Sequence, residues 1–338
     1  MQDGRFGVNQ NAQRIRESCV GVAINGHMLN WLAKTDGEDG AFIKVNCHPS
    51  GGNCFVLTTP SGVKLAGGNG SGGAAEALTR GLKEWQRLSA EDKTKLPKGQ
   101  ATMPPEADLC KPPAGGLIVK SYLRNLTWDA RGQLAHITAA DLKNKRDFPD
   151  WNPIYIEPTR YNVWLTAKEW QALIPADPKA GQRVGVPEGI RLRLFRFHLV
   201  NGTFGLPGAW RRADIRAGEL NLMVEQTSPV VRMRLEGSAL LANDADLAKA
   251  SRGYAARLFG VVEYDAQKKI MARFDAIALG DYWGGDYEGG RFKRPGRTPF
   301  GIAFELVQGR SAVDLAPPRV HMDRKQEYNR YFAAEHGE

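Results

Sequence analysis

Residues 218–241, "GELNLMVEQTSPVVRMRLEGSALL", decide the fold class of most of this chain. Leu220, Leu222 and Val224 alternate with Glu219, Asn221 and Glu225, and Val231, Met233 and Leu235 alternate with Arg232, Arg234 and Glu236. A period of two sends one set of side chains to a buried face and the other to water, as in an antiparallel sheet covered on one side. The segment "EQTSPVVRM" between the runs reads as a hairpin. Outward from it, "IRLRLFRFHLV" (190–200), "YAARLFGVVEYD" (254–265), "IMARFDAIALGDYW" (270–283) and "TPFGIAFELV" (298–307) read as further strands, joined by short turns such as "DAQKK" (265–269). Six such strands predict an antiparallel β-sandwich or a partly closed barrel.

Upstream, "LIVKSYLRNLTW" and "QLAHI" form a hairpin turning at "DARG", and Thr166 with Glu169 forms a capping box for a short helix that Pro175 ends. Before them, Pro97 to Gly116 concentrates proline and glycine and marks a linker. The N-terminal part reads as a helix over 12–18, a strand from Cys19 to Asn25, a second helix in "HMLNWLAK", a hairpin around Pro60-Ser61-Gly62, and a helix over 72–88. In that last helix Ala77, Leu78, Leu82, Trp85 and Leu88 repeat at helical spacing. The expectation is an α+β protein with a small α/β domain (1–96), a linker (97–116), a β-rich domain (117–310) and a C-terminal tail (311–338).

A chain of 338 residues, 42% of them hydrophobic, can bury a core without staples, and its length suggests roughly two domains. Four cysteines are too few for a disulfide scaffold. No apolar run reaches the roughly 20 residues of a membrane span, and the first residues lack the layout of a signal peptide. The net charge of +9, from 46 basic and 37 acidic residues, contains no block of like charge, and nucleic acid is not an expected partner.

Chemistry-bearing residues are sparse. Cys47 and Cys54 are separated by a Pro- and Gly-containing loop that could bring the sulfurs together; two unlinked cysteines, with Cys54 simply beginning a buried strand, are the first reading, and a structural disulfide and a redox pair stay open beside it. The spacing fits no zinc motif, even with His48 and His27 nearby, and no metal or cofactor is expected. "ALGDYWGGDYEGGRF" (278–292) places Asp281, Asp286 and Glu288 among Tyr282, Trp283 and Tyr287. Carboxylates beside aromatic faces suit sugars or cations, which makes these six the ligand-binding candidates. "NDADLAKASRG" (243–253) starts like a calcium loop but lacks the glycine and glutamate of one. His198 is a lone strand histidine. Arg191, Arg193, Arg232, Arg234, Arg257 and Arg273 would make an anion surface if they shared a face.

The helix, strand, helix, hairpin, helix order over 12–88 resembles the thioredoxin-like fold. That family sets a cis-proline before the first hairpin strand and opens its first helix with Cys-x-x-Cys. Here Gly52 and Asn53 precede the strand, and "QDGRFGVNQNA" (2–12) holds no cysteine, so the resemblance implies an incomplete, degenerate thioredoxin-like domain. More widely, "GGNCFVLTTPSG", "VWLTAKEWQALIP", "RLFRFHLVNGTFG", "RLEGSALLANDAD", "GYAARLFGVVEYDAQKKIMARFDAIALGDYWG" and "RTPFGIAFELV" resemble a family of exported bacterial proteins that join a thioredoxin-like region to a β-rich domain. The resemblance implies a periplasmic or secreted location, with this start either a truncated gene start or a cleaved form. The leading functional expectation is a non-enzymatic scaffold that binds a protein partner or a small ligand. Thiol–disulfide exchange through Cys47 and Cys54, or through a Cys-x-x-Cys upstream of this start, is the first alternative. Sugar or polyanion binding by the β-rich domain is the second.

Overall fold

A computed structural model describes residues 14–15, 17–21, 54–95, 111–144, 156, 158–204, 208–284, 296–309, 314, 317–318 and 325–333. The chain divides into two compact units, one running from Asp3 to Leu109 and the other from Cys110 to Glu338.

In the first unit, β1 (Cys54–Thr58) and β2 (Lys64–Asn69) pair antiparallel, with Phe55 opposite Gly68 and Leu57 opposite Ala66. Thr59 closes the turn: its hydroxyl accepts the Val63 N–H (3.0 Å) and its carbonyl that of Gly62 (3.0 Å). Gly62, at φ 87°, supplies the left-handed residue this turn needs. Helix α1 (Gly70–Arg87) follows directly, burying Ala77 and Leu78, and Gly81 lets it approach the hairpin, since a Cβ there would lie 2.4 Å from Leu57 Cδ2. A short helix α2 (Ala90–Thr94) is N-capped by the Ser89 hydroxyl, which accepts the Asp92 N–H (3.0 Å). The hairpin and the following helix agree with the sequence reading. Cys19, Val20 and Gly21 do not: they lie outside any strand, and Val20 is almost fully exposed.

The second unit is built on one antiparallel sheet: β3 (Leu117–Trp128), β4 (Leu134–His136), β5 (Thr159–Leu165), β6 (Arg183–Gly185), β7 (Ile215–Gln226), β8 (Val231–Ala242), β9 (Gly253–Asp265), β10 (Ile270–Trp283) and β11 (Arg297–Leu306). The spatial order is β4-β3-β11-β10-β9-β8-β7-β6, with β5 also paired to β3. Leu220, Leu222, Val224, Val231, Met233 and Leu235 all face inward, as their alternation predicts. The capping box is also present, at the start of α3 (Ala167–Gln171).

Residues 190–200 are the main correction to the sequence reading. They form helix α4 (Glu188–Arg193) and a π-helical turn, Leu194–His198, closed by Leu199 N–H to Leu194 C=O (3.0 Å). Every residue from Leu192 to Thr203 is buried. A helix enclosed by the core on all sides has no polar stripe to set a period of 3.6, so its apolar residues fall by chance on strand spacing. This segment, rather than a further strand, adds Ile190, Leu194, Phe195, Leu199 and Val200 to the core of the sheet's inner face. Phe195 packs so tightly on β7 that a Cβ on Gly218 would lie 2.4 Å from its ring.

One side chain ties these parts together. Arg193 is buried, and all five of its N–H donors have acceptors. Nε donates to the Tyr331 carbonyl (3.0 Å), and Nη1 donates to the Trp164 carbonyl (3.2 Å) and to Glu169 Oε2 (2.9 Å). Nη2 donates to Glu169 Oε1 and to the Phe332 carbonyl (3.5 Å). Tyr331 and Phe332 end helix α5 (Lys325–Phe332), which lies in the segment expected to be a tail. The Tyr331 hydroxyl accepts the Trp164 N–H (3.1 Å) and pairs with His198 Nε2 (2.8 Å). The peptide groups of Trp164 on β5 are therefore satisfied by side chains instead of another strand, which blunts that edge.

Burial pushes the Glu169 carboxyl up, but hydrogen bonds and charge from Arg193, with help from Thr166, more than reverse this and hold it below the usual carboxylate value. Its contribution to stability is present above an unfolded pKa of about 4.3 and is lost as pH falls through the depressed folded value. Arg193→Met is expected to cost about 3–5 kcal/mol in urea unfolding, because it leaves the Glu169 carboxylate without its cationic partner and takes this donor from three carbonyls. Arg193→Met/Glu169→Gln is expected to recover part of that loss and to flatten the acid limb of the stability profile.

Candidate functional site

The aromatic and acidic cluster of 278–292 is divided by the pleat. Asp281 lies exposed on the outer face of β10, and Tyr282 points inward, packed against Tyr254 and Phe300 with ring centroids 5.7 and 5.5 Å away. The Tyr282 hydroxyl accepts from Arg252 Nε (3.2 Å). Trp283 is buried over Gly253, where a Cβ would lie 2.0 Å from its ring, and its indole N–H donates to the Ala250 carbonyl (3.0 Å). Both aromatics thus brace the strand ends. Asp286, Tyr287 and Glu288 lie outside the described residues, as do Cys47, His48 and His27. Cys54 opens β1 opposite Asn69. The Cys19 thiol is pushed up by burial, away from the thiolate.

In the 243–253 loop the acids hold turns: Asp244 accepts the Asp246 N–H (2.9 Å), and Asp246 accepts that of Ala248 (3.0 Å). Among the described residues no group of three His, Cys, Asp or Glu side chains is placed to hold a metal ion, and no helix is long and apolar enough to cross a membrane. His198 belongs to the buried helical segment.

The six arginines do not share one face. Arg193 is interior, and Arg191 donates to the Gly218 carbonyl (2.8 Å). Arg232, Arg234 and Arg273 lie on the outer face in a lattice with Glu225, Glu236, Glu263 and Asp275, at separations from 2.5 to 3.9 Å. Three guanidiniums against four carboxylates leave that part of the face with no excess positive charge. Arg257 stands apart, exposed on β9 and outside the lattice.

Beside the lattice runs a feature the sequence reading missed. Phe259 on β9 lies opposite Ile277 on β10, and both are about half exposed, at 49% and 50%. One step along β10, Leu279 lies opposite Gly301 on β11. A Cβ at Gly301 would lie 3.3 Å from Leu126 Cδ1 and 3.7 Å from Leu279 Cδ1, so the two leucines approach each other over the glycine. Leu126 leads along β3 to Trp128, which lies opposite Leu134 on β4, with exposures of 55% and 40%. An oblique apolar stripe thus crosses the outer face from β9 to β4. The exposed large apolar side chains among the described residues of this unit are Trp128, Leu134, Leu247, Phe259, Ile270 and Ile277, and four of these six lie on it. The signal was in the alternation: Phe259 shares a phase with Arg257 and Glu263, and Ile277 and Leu279 share one with Arg273, Asp275 and Asp281.

The observed class is therefore a mixed α and β protein dominated by one large antiparallel sheet. Neither protein-family models, curated proteins nor solved structures yield a match to this chain.

Tyr282→Phe is expected to lower unfolding stability by about 1 kcal/mol through loss of its hydroxyl contact. Asp281→Asn, on the exposed face of the same strand, is expected to change stability by less than about 0.5 kcal/mol. Parallel urea melts of the two variants check the division of this cluster.

Proposed function

We propose that this protein is a non-enzymatic binding protein whose β-rich unit presents the outer face of its sheet to a protein partner. The single observation that carries the reading is the apolar stripe. Large side chains, Phe259 and Ile277 in mid-strand and Trp128 and Leu134 at the β3–β4 end, are exposed in one band beside charged residues, which is the anatomy of a protein-docking surface. The core beneath is complete without them, since the inward side chains of the same strands, among them Leu258, Val262, Phe274, Ala276, Ala278 and Leu123, are buried in one hydrophobic cluster. Rigid backing of this kind suits a surface that binds without rearranging.

In this reading the first unit, with its hairpin followed directly by α1, serves as a degenerate thioredoxin-like scaffold, and the protein works outside the cytoplasm; the sequence resemblance to exported proteins is what supports that location. Fractionation of the producing cells is expected to find it there. The docking surface is tested by in-cell photo-crosslinking. A photoreactive amino acid at position 259 is expected to give one discrete protein adduct, and the same group at position 267, in the β9–β10 turn, none. Absence of an adduct at 259, or equal labelling at both positions, contradicts the proposal.

A further inference from the structure

We infer that the partner element seated on the stripe is an amphipathic α-helix, about four to five turns long, with acidic residues on both flanks, one flank meeting Arg257 and the other Arg124. This rests on the docking reading above and names the occupant.

Shape gives the first part. From Phe259 on β9 to Trp128 on β3 the stripe crosses three strand spacings, about 14 Å, and advances about six residues along β3 from the row of Tyr122, about 20 Å. The diagonal is about 25 Å, the length of about 16 helical residues. An extended segment laid on a sheet face would press its own peptide groups onto apolar side chains without partners. A helix bonds its backbone internally and offers an apolar stripe of matching width.

Charge gives the second. Arg124 and Arg257 occupy the same row as Leu279 and Gly301, one on β3 and the other on β9. Among the described residues neither belongs to an ion pair, whereas Arg232, Arg234 and Arg273 are neutralised by the lattice and Lys120 pairs with Asp314 (2.5 Å). The Arg124 Nε–H is buried with no acceptor. Glu219, in the same row, is held by Arg183 (3.1 Å), and Asp281 is one carboxylate a row further along β10. Arg257 thus borders one side of the oblique stripe, the side of Asp281, and Arg124 borders the other, so each flank presents an arginine, and Arg forks favour carboxylates.

The test titrates the full chain with a fluorescent synthetic peptide of about 18 residues. It carries leucines at helical i, i+3, i+4, i+7 spacing and glutamates on both flanks. Its comparison is the same peptide with lysines in place of the glutamates. The acidic peptide is expected to bind at least tenfold more tightly. Arg124→Glu/Arg257→Glu is expected to reverse the preference, and Ile277→Asn to abolish binding of both, with thermal unfolding midpoints confirming that the variants are folded. Equal binding of the two peptides, no binding of either, or a preference that survives the double charge reversal overturns the inference. So does binding only to phosphatidylglycerol-containing vesicles, or a concentration-dependent dimer that Ile277→Asn dissolves without peptide binding. A crosslinked adduct at position 259 without acidic-peptide preference would remove the helix and leave the docking face. Loss of both would remove the docking face as well.

Discussion

A buried guanidinium with every donor satisfied is the constraint on which the second unit depends. Arg193 sits on the buried helical segment, and its acceptors come from the β5 edge strand, from α3 and from the end of α5. Removing the charge from water is costly, so the side chain is stable there only while all of those elements are in place. That makes it a specifier of arrangement as much as a source of stability. Tyr331 and Phe332 add ring contacts, with the guanidinium carbon 5.0 and 4.6 Å from their centroids.

The consequence for the rest of the molecule is a division of labour between the two faces of the sheet. The inner face is consumed by the helical segment, the aromatic group of Tyr254, Tyr282 and Phe300, and the aliphatic side chains of the long strands. The outer face carries a saturated charge lattice on one side and an apolar stripe with two uncompensated arginines on the other. Only the second of these areas has anything left to offer a partner.

Much of the fold was legible in the sequence because its signals are local. The alternation in 218–241 fixed which side chains face inward, and Thr166 with Glu169 announced α3. The buried segment 190–200 was misread because a helix without a wet side has no amphipathic period. The place of α5 could not be read from short-range pattern, since its reason for packing is Arg193, more than a hundred residues away. Of the site, Asp281, Tyr282 and Trp283 looked like one cluster because they are adjacent, yet a strand sends neighbours to opposite faces. The stripe is assembled from four strands and a glycine, and it exists only once the register is known.

The most direct measurement is carbene footprinting of the second unit in purified protein and in the cells that make it, read residue by residue by mass spectrometry. The account predicts that Phe259, Ile277 and Trp128 label in the purified chain and are protected in cells, while Leu247 and Ile270, exposed but off the stripe, label in both. Equal labelling of all five in cells and in purified protein would contradict it.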